Sequence, residues 1–189
     1  MKKLYSFSIA LIVLLLMTAS ASAVPGKGPV ERYTSSGGEA YAVLYGDSSD
    51  AYVDIEVYDE QTYLYLNTYW YDTDGYYHFY STNAYIPINS KDFKNAEVNS
   101  ANLNVIELPV YDENGNEVTI DVKVDWNGIK DTECSYKSIY TYPGSKYEYE
   151  GKEAYATATA SINGVEFTDN EWNYAYLKFG KYVGIYKEK

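Results

Sequence analysis

The chain has one cysteine, Cys134, and one histidine, His78, in 189 residues. A single thiol closes no intrachain disulfide, and one Cys with one His cannot fill a zinc shell. With no basic neighbour in sequence to activate it, Cys134 is expected to be a buried, inert thiol. An exposed Cys134 would instead be free to link two chains. His78 lies in the strand-like run Tyr76-Tyr77-His78-Phe79-Tyr80, and no G-x-S-x-G nucleophile turn occurs, so a Ser-His-Asp centre is not expected. Nor does any stretch carry the period of a long amphipathic helix.

Positive charge is also scarce. Fifteen Lys and Arg face 27 Asp and Glu, for a formal charge of −12. Such a surface repels nucleic acid and anionic lipid, so both are disfavoured as partners. The acids are scattered along the chain rather than gathered in a block, which reads as a solvated surface.

The first residues read as a signal peptide. Lys2 and Lys3 precede an apolar run at 9–17 that is too short to span a bilayer, and Ala21-Ser22-Ala23 supplies a small-x-small cleavage pattern. Cleavage is expected after Ala23, giving a secreted or cell-surface protein of residues 24–189. No cysteine follows the apolar run to carry a lipid anchor. Loss of the two lysines takes the formal charge to about −14. Residues 24–37, rich in Gly, Pro and Ser, read as a flexible lead-in, and 38–189 as a single domain.

From Glu39 onward the chain alternates with period two. Ala51, Val53, Ile55 and Val57 alternate with Tyr52, Asp54, Glu56 and Tyr58. That pattern predicts a half-buried strand with aliphatic side chains inward and Tyr and acids outward. Leu64, Leu66, Thr68 and Trp70 alternate with Tyr63, Tyr65, Asn67, Tyr69 and Tyr71. Val118 to Trp126 and Ala154 to Ile162 repeat the theme, the latter with alanine at every second position. Further strands are expected at 40–45, 76–85, 103–111, 165–167, 174–178 and 182–186. A short helical turn is allowed only at Ser90-Lys91-Asp92-Phe93-Lys94-Asn95-Ala96, with Ser90 as its cap.

The joints carry turn chemistry. Asn114-Gly115, Asn127-Gly128 and Asn163-Gly164 put residues tolerant of positive φ where hairpins need them. Turns of Y-D-x-x-G type recur at Tyr71 and Tyr111, too weakly flanked to mark a duplicated unit. About nine or ten strands with polar outer faces predict an all-β, antiparallel β-sandwich. The alanine row would let Trp126 or Trp70 approach closely from a facing sheet. A membrane barrel fits poorly, because an alanine row is a weak lipid face.

Three chemistries remain as candidates. A glycosidase needs only a carboxylate pair, and Glu107, Glu117, Glu148 and Glu166 lie on or near strands, but none sits in a motif. Asp72-Thr73-Asp74-Gly75 and Asp112 to Glu117 are oxygen-rich, yet both miss the EF-hand spacing and read better as hairpin turns than as weak calcium loops. The strongest candidate is aromatic. Of 25 tyrosines, Tyr63, Tyr65, Tyr69 and Tyr71 project from one face of one strand, beside Tyr52 and Tyr58. Such a row can stack on sugar rings, or it can serve the sheet itself through cross-strand contacts.

The sequence therefore points to an acidic, tyrosine-rich, exported module without enzymatic activity, binding or structural in role, at or outside the cell surface. One alternative is a carbohydrate-binding module with Tyr63, Tyr65, Tyr69 and Tyr71 as candidate ligand-binding residues. Another is a small glycoside hydrolase. No catalytic residue, metal ligand or cofactor is assigned, and a polysaccharide or a protein is the expected kind of partner.

Overall fold

A computed structural model describes residues 30–59, 61–168 and 170–187. The expected signal peptide, 1–23, lies outside the described residues. Twelve strands follow in chain order: β1 (Val30–Gly46), β2 (Ser49–Tyr58), β3 (Gln61–Tyr71), β4 (Tyr77–Ser81), β5 (Ile86–Ile88), β6 (Phe93–Asn95), β7 (Ser100–Asp112), β8 (Glu117–Gly128), β9 (Cys134–Tyr142), β10 (Ser145–Ile162), β11 (Val165–Phe167) and β12 (Tyr174–Lys187). One 3₁₀ turn, Lys130–Thr132, separates β8 from β9. Among the described residues no helix is long and apolar enough to cross a membrane.

All strand pairs are antiparallel. The sheet runs β10-β12-β1-β2-β3-β4-β7, and β8 joins β7 back to β10, so the sheet closes into a ring. The all-β, sandwich-like architecture expected from the alternation is present. The strands number twelve rather than nine or ten, and the two faces of the sandwich are halves of one closed sheet. Closure removes the free edges that an open sheet leaves.

The ring encloses the core. Ala40, Ala42, Leu44, Val53, Ile55, Leu64, Leu66, Val122, Val124, Trp126 and Leu177 are all buried on its inner side. Ala154, Ala156, Ala158 and Ala160 complete it as one inner row of β10. Trp126 stands directly opposite Ala158 in register, and its indole N–H donates to the Tyr41 carbonyl at 3.1 Å. The alanine row makes room for that indole, on a neighbouring strand rather than a facing sheet. The Asn163-Gly164 hairpin forms as read, with both residues at positive φ (50° and 81°).

Several local expectations change, among them the strand expected over 76–85, which ends at Ser81. The lead-in does not persist to residue 37, because β1 begins at Val30 and pairs with β12 from there. Residues 90–96 form a turn followed by β6 rather than a helical turn. Pairing Phe93 with Leu103 buries the Phe93 ring in the core. Asn127-Gly128 is no hairpin. Both residues continue β8 against β10, and a Cβ on Gly128 would meet the Val98 carbonyl oxygen at 1.9 Å. Finally, 174–178 and 182–186 are one strand, and β9 was not foreseen, since its inner side (Ser135, Lys137, Ile139) carries no aliphatic stripe.

Beyond the ring, β9, the first half of β10, the second half of β12 and the start of β1 continue as a four-stranded flap. Gly37, Gly180 and Gly151 lie in register across three strands at its base. Their missing side chains would point outward. A Cβ on Gly37 would lie 2.6 Å from the Val57 carbonyl oxygen, and one on Gly180 2.6 Å from that of Glu150. The neighbouring backbones approach too closely along this line for any side chain, so the row needs glycine.

Candidate functional site

Alternation places the tyrosines on the outer face, where they touch one another across strands. Tyr155 meets Tyr174, and Tyr174 meets both Tyr176 and Tyr41. Tyr41 stacks on Tyr176 with centroids 5.0 Å apart, then meets Tyr52 edge-on at 5.1 Å. Tyr52 meets Tyr65 at 5.4 Å, and Tyr65 meets Tyr85 at 5.6 Å. This belt crosses β10, β12, β1, β2 and β3. Cross-strand aromatic pairs of this kind each stabilise a sheet by roughly 0.2–1 kcal/mol.

Two carboxylates lie beneath the belt. Glu39 and Asp54, on adjacent strands, point outward yet are only 6% and 4% exposed. The Tyr85 hydroxyl donates to Asp54 Oδ2 at 2.6 Å, and the Tyr176 hydroxyl donates to Glu39. Among the described residues, Asp54 Oδ1 is a buried side-chain oxygen with no hydrogen-bond partner. Burial, then the charge of Glu39, pushes the Asp54 carboxyl up to about 8, while burial raises Glu39 as well. Glu56, half-buried beside them, is raised by the same two causes.

The sequence reading placed Asp54 outward, in water, and passed over Glu39 as a site residue. Outward is correct for Asp54, but water is not. A tyrosine reaches far enough from the sheet to roof a shorter neighbour. The available signal was the density of Tyr around two acids in register-adjacent strands. These acids could share a proton, but the roof leaves no cleft from which a substrate reaches them.

Tyr63, Tyr65, Tyr69 and Tyr71 do share the outer face of β3, but they serve different neighbours. The Tyr63 hydroxyl donates to Gln61 at 2.6 Å, Tyr65 belongs to the belt, and the Tyr69 hydroxyl donates to Asp50 at 2.9 Å. Tyr69 and Tyr71 both meet Tyr77, at 6.0 and 5.3 Å. Asn67 interrupts the row, so the four rings form no single platform: Tyr65 joins the belt, and Tyr69 and Tyr71 form a second cluster with Tyr77.

The second cluster belongs to a rim at one end of the ring. There the β1–β2 turn, the β3–β4 turn and the loop before β12 come together. Tyr45 donates its N–H to Asn173 Oδ1 at 2.8 Å, and its carbonyl accepts from Asn170. Those two contacts hold the loop that carries Trp172. Trp172 and Tyr76 are 72% and 69% exposed, and Tyr45, Tyr71 and Tyr77 are exposed beside them.

The other sequence candidates stay apart. His78 stacks on Trp70 at 5.5 Å and contacts Asp72 at 3.2 Å. Asp72 Oδ1 accepts from the N–H groups of Asp74 and Tyr76, and Asp112 Oδ1 likewise from Asn114 and Asn116. The Asn116 side-chain amide and N–H lower the Asp112 carboxyl, and the Tyr76 N–H and His78 lower that of Asp72, while the backbone bonds make both loops Asx-type turns. Among the described residues no three acidic, His or Cys side chains converge to hold a metal. Glu107, Glu117 and Glu166 are exposed, and Glu148 pairs with Lys146. Cys134 is exposed, not buried, because it begins β9 on the flap outside the ring. Its thiol donates to Glu153 at 3.3 Å, which raises its pKa.

A groove of about 760 Å³ opens at the ring mouth, on the inner side of the flap. Lys137, Lys152 and Lys181 line it with Asp59, Glu97 and Glu150. Two of the lysines are already paired, Lys137 with Glu150 at 3.1 Å and Lys152 with Glu133 at 2.8 Å. Its charges balance.

Comparison of the chain with models of protein families, with curated proteins and with solved structures gave no match.

Proposed function

We propose that the protein is an exported, non-catalytic binding module that holds carbohydrate on the aromatic rim of Tyr45, Tyr71, Tyr76, Tyr77 and Trp172. Export rests on the N-terminal sequence pattern. The observation that carries the reading is the division of the aromatic residues. Most belt tyrosines spend their faces and edges on each other, while at the rim Trp172 and Tyr76 stand 72% and 69% exposed, beside the Tyr71–Tyr77 pair. Exposed aromatic side chains gathered at one end of a fold mark an interaction site. Rings flanked by Asp and Asn offer a sugar both a stacking face and hydrogen bonds. The acidic surface argues against polyanions as the ligand.

A lack of catalytic activity is supported by the roof over Glu39 and Asp54. A glycosidase needs its acid and base open to a sugar ring, and here both carboxyls receive tyrosine hydroxyls instead. Retention of the protein on a panel of insoluble polysaccharides tests the reading. Binding to at least one, weakened by Trp172→Ala and Tyr76→Ala, is the expected result. Retention on none would remove the carbohydrate assignment.

A further inference from the structure

We propose that β9 is a dimerisation edge, on which a second copy of the chain lays its own β9 antiparallel about a twofold axis at Ser138. Ring closure leaves few free edges. β5, β6 and β11 are three residues each, too short to template another strand. β9 is nine residues long and, among the described residues, pairs with β10 alone. The free half of β1, before its first β2 partner at Gly37, carries Glu31 and Arg32 in sequence. Charges of that kind guard an edge.

β9 lacks such a guard. Its sequence, CSYKSIYTY, has one charged residue, Lys137, and that ammonium is bound to Glu150 of its own chain at 3.1 Å. It also has no acid, in a protein that carries 27. Two copies of so acidic a chain repel each other over most of their surface, and β9 is where that repulsion is weakest.

The strand is its own complement. Tyr142 and Ser145 are register partners flanking the two-residue turn Pro143-Gly144. Even-numbered residues of β9 therefore bond to β10, and odd-numbered ones direct their N–H and C=O groups to the free edge. A twofold axis at Ser138 pairs every residue of β9. Tyr136 then faces the partner's Tyr140, and Lys137 faces the partner's Ile139. The Tyr–Tyr pairing repeats what the flap already does within one chain, where Tyr140 faces Tyr147 and Tyr136 stacks on Tyr149 at 5.2 Å. It also covers Ile139, Tyr140 and Tyr142, each about half exposed in the single chain.

Sedimentation velocity of the exported protein tests this, run over a wide concentration range in a Cys134→Ser background so that no disulfide contributes. A monomer–dimer equilibrium is expected. Ile139→Lys sets two lysines opposite each other and is expected to leave a monomer with an unchanged thermal melt when dilute. Should that variant fail to fold, Thr141→Pro decides, since it removes an N–H directed only to the free edge. A parent that stays monomeric overturns the proposal. So does a dimer untouched by these substitutions, or growth beyond a dimer, which would mean β9 adding to the free edge of β1.

Discussion

β1, β10 and β12 pass through two regions that share one alternation and differ in what it buries. Within the ring their inner residues are Ala40, Ala42, Ala154, Ala156, Ala175 and Leu177, all buried. Past the glycine row the same inner side carries Ser36, Glu150 and Lys181 around an open groove, with Val183 as its one buried apolar residue among the described residues. The outer side bears tyrosines in both regions. Period two therefore assigns faces, and closure of the ring decides which face is dry. The row of Gly37, Gly180 and Gly151 is the border.

The sharpest way to break this comparison is to cut matched side chains on its two sides. Leu66→Ala, within the ring, is expected to cost about 2–5 kcal/mol in denaturant unfolding. Ile139→Ala on the flap, measured on dilute protein, is expected to stay within about 0.5 kcal/mol. Similar losses at both sites would merge the two regions into one core.

The border is tested next. Gly180→Ala puts a methyl against the Glu150 carbonyl and is expected to cost about 1–3 kcal/mol. Hydrogen exchange should then quicken more in β9 and in residues 145–153 of β10 than in β8. A neutral Gly180→Ala would mean that the fold of the sheet needs no glycine there.

A third measurement addresses the outer face. The Asp54 carboxyl sits at about 8 when folded, against 3.8 for the free group. The folded state thus holds its proton more tightly than the unfolded chain. That contribution to stability is complete below about pH 4 and is lost as pH climbs through about 8. Glu39 acts in the same direction. Unfolding followed from pH 4 to 9 should show declining stability, and Asp54→Asn should flatten the decline. An unchanged slope would place Asp54 in water.

The smallest effect concerns the flap edge. Glu153 raises the Cys134 thiol, so alkylation near pH 8 should be slower than for an unstructured thiol despite the exposure. Glu153→Gln should quicken it. Equal rates would remove the thiol–carboxylate contact.

Much of this architecture was legible in the chain. The inner faces of β2, β3, β8 and β10 follow from their aliphatic and alanine periods, and the Asn163-Gly164 turn follows from its need for positive φ. β9 was not legible, because a strand outside the core has no apolar side to show. Ring closure was hidden as well, since the pairing of β8 with β10 is a long-range event that local pattern does not encode. At the candidate site the sequence singled out Tyr63, Tyr65, Tyr69 and Tyr71 by spacing alone. Spacing shows that they share a face, but not that Tyr65 is occupied by Tyr52 and Tyr85 while Tyr71 meets Tyr77 at the exposed rim. Trp172 was missed because it sits in a loop without period, fixed by the hold of Asn170 and Asn173 on Tyr45 and by hydrogen bonds within the loop.

The central claim is that belt tyrosines build the sheet and rim aromatics bind. Binding isotherms on a retaining polysaccharide test it most directly, with Trp172→Ala/Tyr76→Ala compared against Tyr52→Ala. The rim variant should lose binding and keep its melting temperature, while Tyr52→Ala should lose stability and, where folded, keep its affinity. Equal loss of affinity from both, or full binding by the rim variant, would contradict the division.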